Sequence, residues 1–561
     1  MKAWPILIAA LAAAPVPLRA DEDRPRVRHV LLLSVDGMHA VDLAKWIEAH
    51  PASTLARLSR HGVTYTEARA TTPSDSFPGL LALVTGGTPR STGVYYDDSY
   101  DRALYPPGSN CSGSAGTEVV YDESVDFDVT RLFSGGIDPK NMPLARDASG
   151  CHPVFPHSFI QVNTIFEVVK TAGGRTAWSD KHPAYDLVHG PSGKGVDDLY
   201  TPEINSEIAK GGSANGVDLA GTLKLCKSSN ALPKVTVYTD CIPSQEAYDD
   251  VKVQAVVNWI EGKRAEGQRW AAGDGDDEAR APAVFGMNFQ AVSVGQKLPV
   301  GGYADAEGTP SANLLDAIGY TDASIGRMVA ALARRDLLES TLIIVTAKHG
   351  QSPIDQSKLV MERGTHPVAD PIDFVNSADP RVDSPGFTFT NPNNNHDFST
   401  GGHLQTDDVG LLWLQDRSKL SAVIAQLTDP AHRAAIHADA LPDDTIFSDS
   451  ITSGAALAAI FGDPSADALA AVRAPDVFIQ PNHGVIYSGS SKKVAEHGGG
   501  TSDDTNVALL VSLPSLPSRK VAEPVQTTQV AATILEALGL EPRALKAVRK
   551  EHTRPLPHLP F

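Results

Sequence analysis

The segments of this chain that read as strands are uninterrupted apolar runs. "VRHVLLLSVDGM" (Val27–Met38) joins β-branched and leucine residues and ends in Asp-Gly. "LIIVTAKHG" and "VALLVSLP" (Val507–Pro514) have the same character. Runs of this kind suit strands buried on both faces, whereas a half-exposed sheet would alternate apolar and polar positions. Helical spacing lies between them. "ANLLDAIGYTDASIGRMVAALARRDLLEST" places Leu314, Ile318, Ile325, Val329 and Leu332 on one side, as an amphipathic helix does. "STLARLSRHG" is a second helix closed by glycine, and "PVQTTQVAATILEALGL" (Pro524–Leu540) a third. "VTYTEARATTP" reads as strand or loop. Strand, helix and strand in alternation predict an α/β sheet, with ligands bound outside the carboxyl ends of its strands.

Long polar stretches interrupt this pattern at about 100–156, 197–282, 360–406 and 416–474. Gly, Pro, Asn and Ser dominate several of them, as in "NPNNNHDFSTGGH". Loops of this length in a compact domain form active-site walls or inserted subdomains. The expected organisation is a single domain over 26–545 carrying four insertions, followed by a tail over 546–561. The N-terminus begins "MKAWPILIAALAAAPVPLRADEDRP", one lysine before a short apolar run, with small residues up to Ala20. That pattern predicts a signal peptide over 1–20 and an exported, periplasmic or secreted protein. No later segment offers the roughly 20 uninterrupted apolar residues of a membrane span. Export makes disulfides permissible for Cys111, Cys151, Cys226 and Cys241. Three pairings exist, and 111–151 with 226–241 is favoured because each pair brackets a polar, loop-like stretch.

Composition narrows the function class. The 561 residues are 42% hydrophobic and 20% charged, as in soluble globular proteins. A net charge of −19 argues against a nucleic acid polymer as partner. A small phosphorylated substrate at a locally positive site stays open, and the oligomeric state is not encoded in these features.

The chemistry-bearing residues gather at strand ends. Asp36 closes the first strand, Lys348 and His349 follow "LIIVTA", and His497 sits in "VAEHGGG". Singly each has a plain reading, since Asp-Gly is a common turn and a lone histidine is usually structural. "TPSDSFPGLLALVTGG" (Thr72–Gly87) sharpens the question. Pro78 suits a first helical position, which would leave Ser76 at the helix mouth among free N–H groups that favour an anion. Gly79 would keep that mouth open, and a plain capping role for Ser76 or Ser74 is the alternative.

Asp36 in "LLLSVDGM", Ser76 in "SDSFPGLLALVTGGTPRSTGV", "IIVTAKHGQSP" and "EHGGG" occur in an order that resembles the type I phosphodiesterase/nucleotide pyrophosphatase family of the alkaline phosphatase superfamily. The resemblance covers about half the chain and implies a central, mostly parallel sheet flanked by helices. It makes Ser76 the nucleophile of a phosphoseryl mechanism, with Asp36, His349 and His497 as metal ligands. The family binds two zinc ions through three aspartates and three histidines. Here its Asp-His-Gly is Lys348-His349-Gly350, Gln296 stands nearest to a missing histidine, and Gly79 replaces a phosphate-contacting asparagine. Three surviving ligands cannot hold two zinc ions, so at most one tightly bound divalent ion is expected. Lys348 is placed to supply positive charge to phosphoryl oxygens instead. Two clusters are candidates for the missing groups: Asp180, Lys181, His182 and Asp186 in "WSDKHPAYD", and His396 and His403 around "NNNHDFSTGGH". The reading is a phosphodiesterase-type hydrolase. The alternatives are a phosphomonoesterase or sulfatase-like enzyme, for which Ser76–Leu80 lacks the arginine of a sulfatase motif, or a metal-depleted binding protein.

Overall fold

A computed structural model describes residues 27–228, 234–270, 280–362, 402–414, 416–427, 450–487 and 493–561. Eight strands form the central sheet: β1 (His29–Val35), β2 (Gly62–Tyr65), β3 (Thr176–Ser179), β4 (Asp198–Tyr200), β5 (Val284–Phe289), β6 (Thr341–Thr346), β7 (Leu509–Ser512) and β8 (Arg519–Val521). Their spatial order is β8-β2-β7-β6-β1-β5-β3-β4. All neighbours are parallel except at β7, which runs against β6 and β2. β1, β5 and β6 are buried at every position, which is why their sequences are continuously apolar rather than alternating.

Helices flank the sheet, as the crossover connections between parallel strands require. The long amphipathic segment is a helix over Ala312–Arg334 whose apolar side, including Leu314, Ile318, Ile325 and Leu332, is buried. The helix predicted over 524–540 is shorter, Gln529–Ala537, because Val525–Gln526 pairs as a strand with Ala68–Arg69. The tail continues the fold rather than leaving it: Leu545, Ala547, Val548 and Leu556 join the same core.

The described parts of the insertions include small sheets, and 197–282, expected as one insertion, also carries β4 of the central sheet and a helix over Ile242–Ile260. A hairpin pairs Asp98–Asp101 with Thr117–Val120, and a four-stranded sheet orders Gly402–Thr406, Gly410–Leu414, Val477–Gln480 and Ser450–Ser453. Both favoured disulfides are present, Cys111–Cys151 and Cys226–Cys241. Among the described residues no helix is long and apolar enough to cross a membrane. The leader region and His396 lie outside the described residues.

Register aligns the strand tips. Ser34 of β1 stands opposite both Asn288 of β5 and Thr346 of β6, so two residues further on Asp36, Gln290 and Lys348 leave the sheet at one level. Ser179 of β3 stands opposite Met287 of β5, which brings Asp180 and Lys181 to the same edge.

Candidate active site

A helix over Ser76–Thr85 points its N-terminus at this edge. Ser76 is its first residue and Asp75 is the cap, accepting the Phe77 N–H at 2.9 Å. This corrects the placement expected from sequence. Pro78 is third in the helix rather than first, and Ser74 instead donates to the Asp504 carbonyl at 2.5 Å. It also changes the chemistry of the helix mouth: the Phe77 N–H is already taken by Asp75 and Pro78 has none to offer. Gly79 has a different reason from the one expected. A Cβ there would lie 2.3 Å from the Lys348 carbonyl oxygen, so glycine lets the helix seat directly on the end of β6.

The Ser76 hydroxyl is buried and meets three groups from three strands. His349 Nε2 lies at 3.1 Å, Lys181 Nζ at 3.1 Å and Asp36 Oδ2 at 3.5 Å. The His349 Nδ1 lies 2.8 Å from the Gly350 carbonyl. A carbonyl only accepts, so Nδ1 carries the hydrogen and Nε2 presents its lone pair to the serine O–H. Burial pushes the His349 pKa down to about 4 against the pull of Asp36 and the Gly350 carbonyl, so the ring is neutral at pH 7.

Around this pair the charges balance. Lys181 donates to Asp36 Oδ2 at 3.3 Å as well as to Ser76. Lys348 donates to Asp180 Oδ1 at 2.9 Å and rides 4.1 Å over the Tyr185 ring. Burial opposes the charge on Asp36, but Lys181, Lys348, His349 and the Gln290 amide outweigh it and hold the carboxyl well below its ordinary range. Burial likewise opposes the charge on Lys181, and Asp36, Asp180, Asp75 and Asp97 outweigh it. Lys348 is lowered by burial despite Asp180 and Asp36. The His497 ring packs against His349 at a tilt of 49° with centroids 4.1 Å apart, and its Nδ1 faces Asp75 Oδ1 at 3.9 Å, neither atom having a hydrogen-bond partner. Burial, then Lys297 and His349, hold the His497 ring neutral.

Of the candidates, Asp36, Ser76, Gly79, Asp180, Lys181, Lys348, His349 and His497 are brought together. The others are not. Gln296 donates to the Gly37 carbonyl and to Tyr303 in a neighbouring polar network with His39 and Asp42. His182 pairs with Glu203 at 2.8 Å, Asp186 pairs with His157, and His403 lies beside Asp98 and Glu118. Gln290 and Asn288, which sequence reasoning passed over, both donate to Asp36 Oδ2. Their signal was their place at the end of an apolar run, the same signal that marked Asp36.

The donor set around Ser76 does not fit the divalent ion that the resemblance implied. Among the described residues, Asp36 and His349 are the ligand types recorded within 3.5 Å of the hydroxyl, and the Asp36 charge is already met by Lys181. No third His, Cys, Asp or Glu among the described residues completes a ligand group there. What the arrangement offers is an acceptor for the serine proton and one ammonium, Lys181, beside the oxygen that would lose it, with a second, Lys348, held on Asp180.

The family model described as Type I phosphodiesterase / nucleotide pyrophosphatase matches residues 30–503. Two similar solved structures are of murine ectonucleotide pyrophosphatase/phosphodiesterase 5, one of them an inactive variant in complex with AMP. Identity is 11% to the variant and 12% to the other, with 91% of this chain and 95% of that chain covered and a TM-score of 0.49 in both cases. No curated protein sequence matches this chain.

Proposed function

Because the chain belongs to the type I phosphodiesterase / nucleotide pyrophosphatase family, we propose that it hydrolyses a small phosphodiester or nucleotide pyrophosphate through a phosphoseryl intermediate on Ser76. One observation carries the reading: Ser76 Oγ lies 3.1 Å from both a neutral imidazole nitrogen and an ammonium. In the first step Oγ bonds to phosphorus as the bond to the leaving oxygen breaks on the opposite side. The serine proton passes to His349 Nε2, and the leaving oxygen takes a proton from water. In the second step water attacks from the side the leaving group vacated, the P–Oγ bond breaks, His349 returns the proton to Oγ, and the proton shed by the attacking water neutralises the hydroxide left by the first step.

Asp36 Oδ1 has no hydrogen-bond partner and lies 3.4 Å from His349 Nε2, so it stabilises the imidazolium that forms in between. Lys181 stabilises the serine oxygen as charge builds on it, and Lys348 adds positive potential for the non-bridging oxygens. The predicted leader and the two disulfides support an exported protein, since such bridges persist in oxidising compartments.

The test is turnover of a chromogenic phosphodiester by wild type and Ser76→Ala, with acid quenching and mass spectrometry of the peptide that contains residue 76. Turnover should fall by roughly 10³–10⁶-fold in the variant, the range seen when a nucleophile is removed. The wild-type peptide should gain one phosphoryl group. Unchanged turnover in the variant refutes the phosphoseryl role of Ser76, and no turnover of any phosphate ester by wild type refutes the hydrolase reading and leaves a binding protein on this fold.

A further inference from the structure

A second group of metal-binding side chains lies away from Ser76. Asp98 comes from one strand of the hairpin and Glu118 from the other. Asp98 pairs with Val120 and Tyr100 with Glu118, so the two carboxylates are diagonal neighbours on one face. His403 reaches them from the four-stranded sheet, where it pairs with Trp413 and packs against that ring. One ligand atom from each of the three lies within 4.8 Å of the other two.

Carboxylates often cluster without holding anything, so the histidine decides. His403 is 2% exposed, and its Nδ1 faces Glu118 Oε1 at 3.5 Å. Both ring nitrogens thus face carboxylates, and a neutral ring has one hydrogen for the two; placed on Nδ1, it leaves the Nε2 lone pair aimed at Asp98 Oδ1, 3.3 Å away. Neither of these two buried atoms has a hydrogen-bond partner. Two acceptors facing each other at that distance, out of water, repel unless something positive lies close; for His349 Nε2 and Asp36 Oδ1, 3.4 Å apart, Lys181 and Lys348 supply that charge. The charges that act most strongly on Asp98 are the carboxylates of Glu118, Asp97 and Asp122, so its neighbours deepen the deficit. Geometry agrees with an ion: two donors, each 2.0–2.2 Å from a shared tetrahedral centre, stand about 3.3–3.6 Å apart.

We propose that Asp98, Glu118 and His403 bind one zinc-class dication, which clips the inserted four-stranded sheet to the Asp98–Val120 hairpin. An imidazole with two carboxylates suits zinc better than calcium or magnesium, which take oxygen ligands throughout. The clip bears on the active site. Tyr96, just before the hairpin, donates its hydroxyl hydrogen to Asp407 at 2.7 Å, just beyond the His403 strand, and its oxygen lies 3.2 Å from the His497 carbonyl. Holding the two sheets together therefore holds the wall that carries His497.

The experiment measures zinc per chain after the purified protein is stripped, loaded with zinc and desalted. Wild type and Asp36→Asn should each retain one equivalent, and His403→Gln and Glu118→Gln should retain less than a tenth. Zinc-edge X-ray absorption of loaded wild type needs no variant, and should show a single imidazole among oxygen donors. Loading should also raise the melting temperature of wild type and not that of His403→Gln. The proposal is overturned if wild type retains no zinc, in which case the carboxyls share a proton. It is overturned equally if His403→Gln retains as much as wild type, if Asp36→Asn loses the ion, or if the absorption spectrum shows two imidazoles, since the last two results would put the ion beside His349 and His497.

Discussion

At Ser76 two carboxylates, Asp36 and Asp180, face two ammonium groups, Lys181 and Lys348. At His403 two carboxylates, Asp98 and Glu118, face an imidazole whose free nitrogen is itself an acceptor. Both groups are buried in one protein and both come from distant parts of the chain. A buried carboxylate needs a positive partner or a proton, because desolvation of a lone charge costs far more than folding can offset. The first site finds that charge within the polypeptide, on strand tips brought level by register. The second, on the proposal made above, takes it from solution as a dication. Ligand-type residues alone therefore say little about where a metal sits, and the lysines nearby say more.

The sharpest way to break the comparison is to remove the internal cation. Lys181→Met keeps the length of the stem and deletes the ammonium that touches both Ser76 and Asp36. It should lower kcat by about 10²–10³-fold, the usual loss when one stabilising donor is removed from a transition-state charge. Added zinc should not restore the rate. Rescue by zinc would mean that Lys181 only fills a metal's place and that the two sites differ less than their charges suggest. Chelation makes the complementary test: turnover at saturating substrate should change by less than about threefold, while the melting temperature falls through loss of the clip at His403.

Gly79→Ala probes how the first site is assembled. The added methyl would sit 2.3 Å from the Lys348 carbonyl oxygen and 2.9 Å from the Lys348 Cβ, so the helix or the end of β6 must move. Overpacking of this kind costs about 1–3 kcal/mol. The same shift displaces His349, the next residue, from Ser76, so kcat should fall about tenfold or more while zinc retention at His403 stays at one equivalent. An unchanged kcat would show that the seat of the helix on β6 does not set the serine–histidine distance.

How far this was legible in the sequence depends on the range of the cause. β1, β5 and β6 announce themselves locally, because burial on both faces leaves a continuous apolar run. Asp36, Lys348 and His349 follow from those strands, because the ends of parallel strands share one edge. Register is a pairing property that no single strand displays, so Gln290 and Asn288 escaped notice. The segment "WSDKHPAYD" shows the limit most plainly. Its four charged residues look equivalent in sequence, yet Asp180 and Lys181 enter the site while His182 turns to Glu203 and Asp186 to His157. Three consecutive residues at a strand end cannot all face the same way, and which of them turns inward is decided by partners outside the segment. His403 was singled out as a spare ligand for Ser76 and instead belongs to a cluster whose other two members, Asp98 just before a polar insertion and Glu118 within it, went unremarked.

The smallest expected effect concerns Asp75, which stands between the site's charges and the helix it caps. Burial raises its pKa to about 6, against the lowering effect of the Phe77 and Ser76 amides. The folded state thus binds this proton more tightly than the unfolded chain does. Its contribution to stability is complete below the ordinary value near 3.8 and is lost as pH rises through about 6. Asp75→Asn keeps an oxygen for the Phe77 N–H, since asparagine caps as well as aspartate, and removes the titration. The stability of wild type relative to the variant should therefore fall between about pH 4 and pH 7 and level off above. Above pH 6 the wild-type carboxylate also repels an incoming phosphoryl group, so the variant should bind substrate a few-fold more tightly there, with KM lowered and kcat little changed. At pH 5 the two proteins should converge. An equal difference in KM at pH 5 and pH 8 would mean that the shape of residue 75, not its charge, governs binding, and that the balance of charges around Ser76 stops at Asp36 and Asp180.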